Sequence, residues 1–183
     1  MCGCSLAAMA EWKKVIDERF NQLTVKDPAS VIGWTLGNCY GMNNVTNNTV
    51  NLTCLRIGST EASGSAATPV LRVAGRATLS FTYGRGTTSS SASLTVRIVG
   101  GGSIGTTSFS PSSLDHVSVS SLEISDATPT TQIVFEAGAG GIAIDNVVVY
   151  GDVVEQTPDA PTFDPGENYF KDAFELEISC ETE

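Results

Sequence analysis

The chain has 183 residues, 41% of them hydrophobic and 16% charged, with 20 acids against 10 bases and a single histidine, His116. That length holds one domain with a real core plus a fragment, and the composition excludes a collagen-like chain, wholesale disorder and, for want of an apolar run near the ~20 residues a span needs, a membrane-spanning segment. A net charge of −10 leaves no basic surface for phosphate neutralisation, so nucleic acid drops out as a partner, and one histidine leaves little room for imidazole-based hydrolysis.

The acidity is uneven. Residues 1–150 carry 10 acids and 9 bases, whereas 151–183 carry 10 acids and Lys171 alone, which marks two modules. The opening MCGCSLAAMAEW lacks a basic n-region and its apolar stretch is short for a secretory core, so 1–14 reads as a leader or boundary segment with no evident export signal. Leu6, Met9, Trp12 and Val15–Ile16 fall near helical spacing over 5–16, and a strand from Val15 fits the same residues equally well. Next comes a Gly- and Asn-rich stretch, 33–59, of turns around short strands.

The centre is β. Ala77, Leu79, Phe81 and Tyr83 alternate with Thr78, Ser80 and Thr82, and Leu94, Val96 and Ile98 with Thr95 and Arg97, the period of two that turns one face to a core. Val117 with Val119, Leu122 with Ile124, Ile133 with Phe135, Ile142 with Ile144 and Val147 with Val149 continue the series. Polar and Gly-rich connections separate these strands, as in a β-sandwich or barrel. Beyond Gly151 the texture turns Pro- and acid-rich, predicting a linker at 152–160. Phe174, Leu176, Ile178 and Cys180 then predict one more half-buried strand, too little to fold alone.

In their order, Phe20, Trp34, Tyr40, Leu55-Arg-Ile-Gly-Ser59, Ala67-Thr-Pro69, Gly75-Arg-Ala-Thr-Leu-Ser-Phe81, Leu94-Thr-Val96, Gly100-Gly-Gly102, Ile133-Val-Phe135 and Ile144-Asp-Asn-Val-Val-Val149 resemble the jelly-roll modules of secreted and surface proteins of gut Bacteroidetes, related to carbohydrate-binding and galactose-binding-like sandwiches. The resemblance implies an all-β, jelly-roll-like antiparallel sandwich over 15–151. The tail, with Pro161-Thr-Phe163, Pro165, Tyr169 and Ile178-Ser-Cys180, resembles the start of the immunoglobulin-like module named after the C-terminal domain of chitobiase and β-hexosaminidase. It implies an incomplete second β module over 161–183 in a chain cut from a larger protein.

In such jelly rolls a structural calcium is often held by an acid on the first strand and an acid on the last. The matching positions are Glu18 and Asp145, which backbone carbonyls and water would have to complete to the six to eight oxygens calcium takes. The alternative is that Asp145–Asn146 make a side-chain-to-backbone turn. A sugar platform needs a flat apolar face with polar groups at its rim, for which Trp34, Tyr40 and Tyr83 are the aromatic candidates and Arg85, Asn38 and Asn43 the hydrogen-bonders. Trp34 and Tyr83 also sit where a sandwich would bury them.

The remaining motifs carry little chemistry. Cys39 and Cys54 either bridge in an oxidising compartment or stay as buried thiols, and no cysteine spacing fits zinc. The sequons at Asn44, Asn47 and Asn51 read as turn residues, and Gly100–Gly102 as a turn without the following helix a phosphate cradle requires. Asp115–His116 lacks a nucleophile elbow. The expectation is a non-catalytic accessory module of an exported, secreted or cell-surface multidomain protein that binds polysaccharide or a cell-surface glycan, the alternative being a structural spacer or adhesin stalk that only presents its neighbouring domains.

Overall fold

The computed structural model of the chain describes residues 11–46, 49–88 and 90–154. They form β1 (Glu11–Glu18), β2 (Thr35–Gly37), β3 (Cys39–Thr46), β4 (Thr49–Ile57), β5 (Gly64–Ala67), β6 (Val73–Arg85), β7 (Leu94–Val99), β8 (Ser103–Ile104), β9 (Ser108–Phe109), β10 (Val117–Ala127), β11 (Gln132–Ala137) and β12 (Ile142–Val153). One sheet has the order β3-β4-β12-β6-β10-β8 with β1 added on β12, and the other the order β2-β5-β11-β7-β9. Every ladder between named strands is antiparallel. The alternating apolar residues of β6, β7, β11 and β12 line the two inner faces, and burying them is what holds the sheets together.

The centre of the core is aromatic. Phe81 packs edge-on against Phe109 at 5.3 Å and Phe135 at 5.4 Å, and Trp34 stacks on Phe135 at 6.4 Å while meeting the edge of Phe20 at 5.4 Å. Phe20 and Trp34 thereby fasten both ends of the segment between β1 and β2 to the sandwich. That segment also closes the outer edge of β3: the Lys26 N–H bonds to the Gly41 carbonyl at 2.8 Å, Gly41 N–H to Asp27 at 3.1 Å and Ala29 N–H to Cys39 at 2.8 Å. So close an approach requires glycine, because a Cβ on Gly41 would overlap the Thr24 carbonyl.

Two pairs of predicted strands are each a single strand. Val117/Val119 and Leu122/Ile124 lie on β10, and Ile142/Ile144 and Val147/Val149 lie on β12. In each, the inward positions switch parity where the ladder to β6 slips, between Val119 and Leu122 and between Asp145 and Val148. Ser121 (φ 51°) and Asn146 (φ 50°) occupy the slips in left-handed conformation, the extra residue of a β-bulge.

The ends of the sandwich differ from expectation. Residues 11–16 are strand, not helix, and β1 begins inside the 1–14 segment read as a leader. β12 runs through Val153, past the 151 boundary. The reason is mutual: Glu11 pairs with Val153, Trp12 with Asp152 and Lys13 with Gly151, so each end supplies the other's hydrogen bonds. Asn44 and Asn51 fall within β3 and β4 rather than in turns. The expected linker beyond Val154, the 161–183 module, Asn47, and Cys2, Cys4 and Cys180 lie outside the described residues.

Cys39 and Cys54 are both buried free thiols. Cys39 pairs with core-facing Ile57, whereas Cys54 precedes core-facing Leu55, so the two point to opposite faces of the sheet. Burial pushes the Cys39 thiol up to about 11. It also raises Cys54, helped to a lesser degree by the Asp145 carboxylate.

Candidate functional site

Leu55 and Ile57 face the core, so Arg56 between them faces outward, and the β3–β4 register sets Tyr40 directly opposite it. The same row continues through Ala143 and Gly84, both small residues. The result is a cleft of about 440 Å³ whose walls include Val25, Lys26, Tyr40, Met42, Arg56 and Thr60. Val25, Met42 and the Tyr40 ring give it an apolar floor; Lys26, Arg56 and Thr60 give it donors.

The Tyr40 hydroxyl donates to Asn38 Oδ1 at 2.8 Å, and Asn38 in turn donates to the Ala62 and Ser63 carbonyls, which fixes the ring. Arg56 lies along the Gly140–Gly141 turn, its Nη2 donating to the Gly140 carbonyl at 3.3 Å. A Cβ on Gly141 would come within 2.8 Å of Arg56 Nε, so this cradle depends on a residue without a side chain, held at φ 71°. Nε is shielded from solvent and has no acceptor. Burial lowers the Arg56 pKa, with Tyr40 acting weakly in the opposite sense.

The other three ring and guanidinium candidates are engaged inside the fold. Trp34 is committed to Phe20 and Phe135, and Tyr83 to Phe81 at 6.0 Å and Phe109 at 5.6 Å. Arg85 donates to the Pro111 and Thr88 carbonyls and so pins the segment before β10. Of the four, Tyr40 lines the cleft.

Arg56 is the residue that sequence reasoning left unassigned, although the alternation of Leu55 and Ile57 already turns it outward. Two exposed aromatics also went unassigned. Trp12, 41% exposed, and Tyr150, 39% exposed, share the outer face of the larger sheet, where the Arg76 guanidinium lies 5.2 Å from the Trp12 ring centre. With Val147 and Val149 facing in, the register of β12 required Tyr150 to face out.

Glu18 and Asp145 are neighbours in the ladder. Glu18 ends β1 opposite Val147, two residues from Asp145, at the notch where β12 exchanges β4 for β1 as its partner. Glu18 Oε1 accepts the Phe20 N–H at 2.7 Å and Gln22 Nε2 at 3.2 Å. The Asp145 carboxylate is buried, and its Oδ1 accepts the Asn146 N–H at 2.7 Å. Alternation puts Glu18 in line with core-facing Ile16 and Asp145 opposite Thr82 on the outer face, so an ion held by both would sit in the notch itself. Close by in sequence, the Phe20 carbonyl takes the Thr53 hydroxyl at 3.0 Å, and the Asp145 carbonyl that of Thr82 at 3.2 Å. Among the described residues no group of three or more His, Cys, Asp or Glu side chains converges on one point.

The Asp115–His116 pair lies beside β6. His116 Nδ1 is 3.3 Å from the Thr82 hydroxyl, and its ring covers Gly84, where a Cβ would come within 2.7 Å of Cδ2. Burial holds the imidazole down to about 4, against a smaller opposing effect of Asp115.

No protein-family model matches the chain, and no curated protein does. Solved structures do match. The CBM22-1 xylan-binding domain of Xyn10C from Paenibacillus barcinonensis superposes with a TM-score of 0.54 at 14% identity, over 81% of this chain and 100% of that one. The fold is a jelly-roll sandwich. The N-terminal CBM22-1-CBM22-2 tandem of the same protein matches with a TM-score of 0.53 at 13% identity, over 84% of this chain and 49% of the tandem. At such identities the likeness to these jelly rolls lies in the path of the strands.

Proposed function

We propose that this jelly roll is a non-catalytic carbohydrate-binding accessory module of an exported multidomain protein, and that polysaccharide lies in the cleft between Tyr40 and Arg56. The cleft carries the reading: it sets one immobilised aromatic ring beside a guanidinium on an apolar floor, the combination that recognises a sugar through its flat CH face and its hydroxyl rim. The likeness to a xylan-binding domain over that domain's whole length supports it. Affinity electrophoresis of the 183-residue chain through gels containing xylan, mannan, β-glucan or pectin tests it. Retardation by at least one polymer, reduced by Tyr40→Ala, is expected; free migration through all of them would overturn the reading.

A spacer function is the second reading, favoured by the commitment of Trp34 and Tyr83 to the core. It predicts free migration in every gel. On the same footing we propose a structural calcium ion in the notch between Glu18 and Asp145, tying the first strand to the last. Its support is the ladder position of Glu18 and the burial of the Asp145 carboxylate.

A further inference from the structure

We infer that the Tyr40–Arg56 cleft selects acidic polysaccharide, with Arg56 and Lys26 receiving the carboxylate of a uronic acid residue; this rests on the carbohydrate-binding reading above. The argument starts from how the cations of the sandwich are satisfied. Lys13, Lys14 and Arg19 pair with Glu11 and Asp17, Arg97 pairs with Glu136 at 2.8 Å, Arg76 lies over Trp12, and Arg85 is spent on backbone carbonyls. Arg56, among the described residues, has neither a carboxylate nor a ring, and a single backbone carbonyl. Among the described residues no carboxylate comes within ion-pair distance of it, and its one hydrogen bond is the 3.3 Å contact to Gly140.

Leaving a half-buried guanidinium so poorly satisfied is costly, since its Nε has lost water without gaining an acceptor. A planar fork of donors is matched best by a carboxylate, which takes two parallel N–H bonds. The exposed Lys26, on the same cleft, adds a second positive charge, and none of the described residues lining the cleft is acidic. The polar groove on the opposite sheet, over Ser65, Thr95 and Glu136, is built the other way, because its acid already holds Arg97. The residues 1–150 that supply the cleft are close to neutral, with 10 acids and 9 bases.

The experiment compares glucuronoxylan with the same polymer after chemical reduction of its carboxyl groups, by affinity electrophoresis and calorimetry on the full chain. At least tenfold tighter binding to the acidic polymer is expected, weakening as salt is raised. Arg56→Gln should erase the difference between the two polymers. Because Arg56 also braces the Gly140–Gly141 turn, its variant is checked by thermal melting, and the exposed Lys26→Gln, expected to narrow the difference severalfold, serves if the first unfolds. Equal binding to both polymers would overturn the uronate inference and leave the carbohydrate reading intact. Binding to neither, nor to any neutral polysaccharide, would remove both.

Discussion

Tyr40 and Arg56 stand directly opposite each other across the β3–β4 ladder, on the face turned away from the core. Their separation is fixed by the hydrogen bonds of the sheet and not by loops, so the ring and the guanidinium present one preorganised edge. Tyr40→Ala should weaken polysaccharide binding roughly tenfold, the order expected for losing one stacked ring. Tyr40→Phe should keep most of it, losing only the bond to Asn38. Calorimetric titration distinguishes the two. Equal affinities for wild type and Tyr40→Ala would place the sugar elsewhere, with the Trp12–Tyr150 face next to be tested.

Gly41 links the fold to the cleft. Its neighbours Val25 and Lys26 form one wall because the chain before β2 lies flush on β3 there, and a Cβ on Gly41 would displace the Thr24 carbonyl. Gly41→Ala should therefore cost about 1–3 kcal/mol, as overpacking does, and should weaken binding as well. Denaturant titration measures the first effect and affinity electrophoresis the second. A variant of unchanged stability and affinity would show that the segment is free to move away.

The legible parts of this molecule are those where a strand announces itself locally. Leu79–Phe81, Leu94–Val96 and Ile133–Phe135 alternate over a hydrophobic face, and the structure puts all of them in the core. The bulges at Ser121 and Asn146 were not legible as such: a switch in the parity of the apolar positions looks the same as a break between two strands, and two strands are expected in each case. The ends were not legible either: Trp12 and Asp152 have meaning only opposite each other, 140 residues apart in sequence, and the residues around Trp12 fit a helix as well as a strand. Trp34 and Arg56 show the same limit at the site. A tryptophan among glycines suits a core or a platform, and the choice was made by where Phe20 and Phe135 lie.

His116 should make the fold sensitive to acid. In the unfolded chain it titrates near 6.5, and in the fold burial holds it down to about 4, with Asp115 the weaker, opposing influence. Between those values the unfolded chain binds a proton that the fold does not. Stability is therefore complete above about pH 6.5 and falls by on the order of 2–3 kcal/mol as the pH drops to about 4. His116→Gln should flatten this interval. The depressed carboxylates Asp17 and Glu136 act lower, as the pH falls through and below the ordinary carboxylate range. Urea midpoints measured from pH 7 to 4 on both proteins check it; identical slopes would show that His116 is hydrated in the fold.

Glu18 and Asp145 come from the first and last strands of the sandwich, and β12 changes partners between them. A cation in that notch would bridge β1 to β12 where no ladder bond joins β1 to β4, and it would offset the cost of burying the Asp145 carboxylate. Because it binds the folded chain alone, it should stabilise by RT ln(1 + [L]/Kd), about 2.7 kcal/mol at a hundredfold excess over Kd. Chelation should then lower the melting temperature and added calcium restore it. Asp145→Asn should abolish that response, since the amide keeps the shape and an acceptor for the Asn146 N–H but not the charge. Glu18→Gln should weaken it while sparing the bond to Phe20. A melting curve indifferent to chelator and calcium alike would dismiss the ion and leave Asp145 as the residue that shapes the bulge.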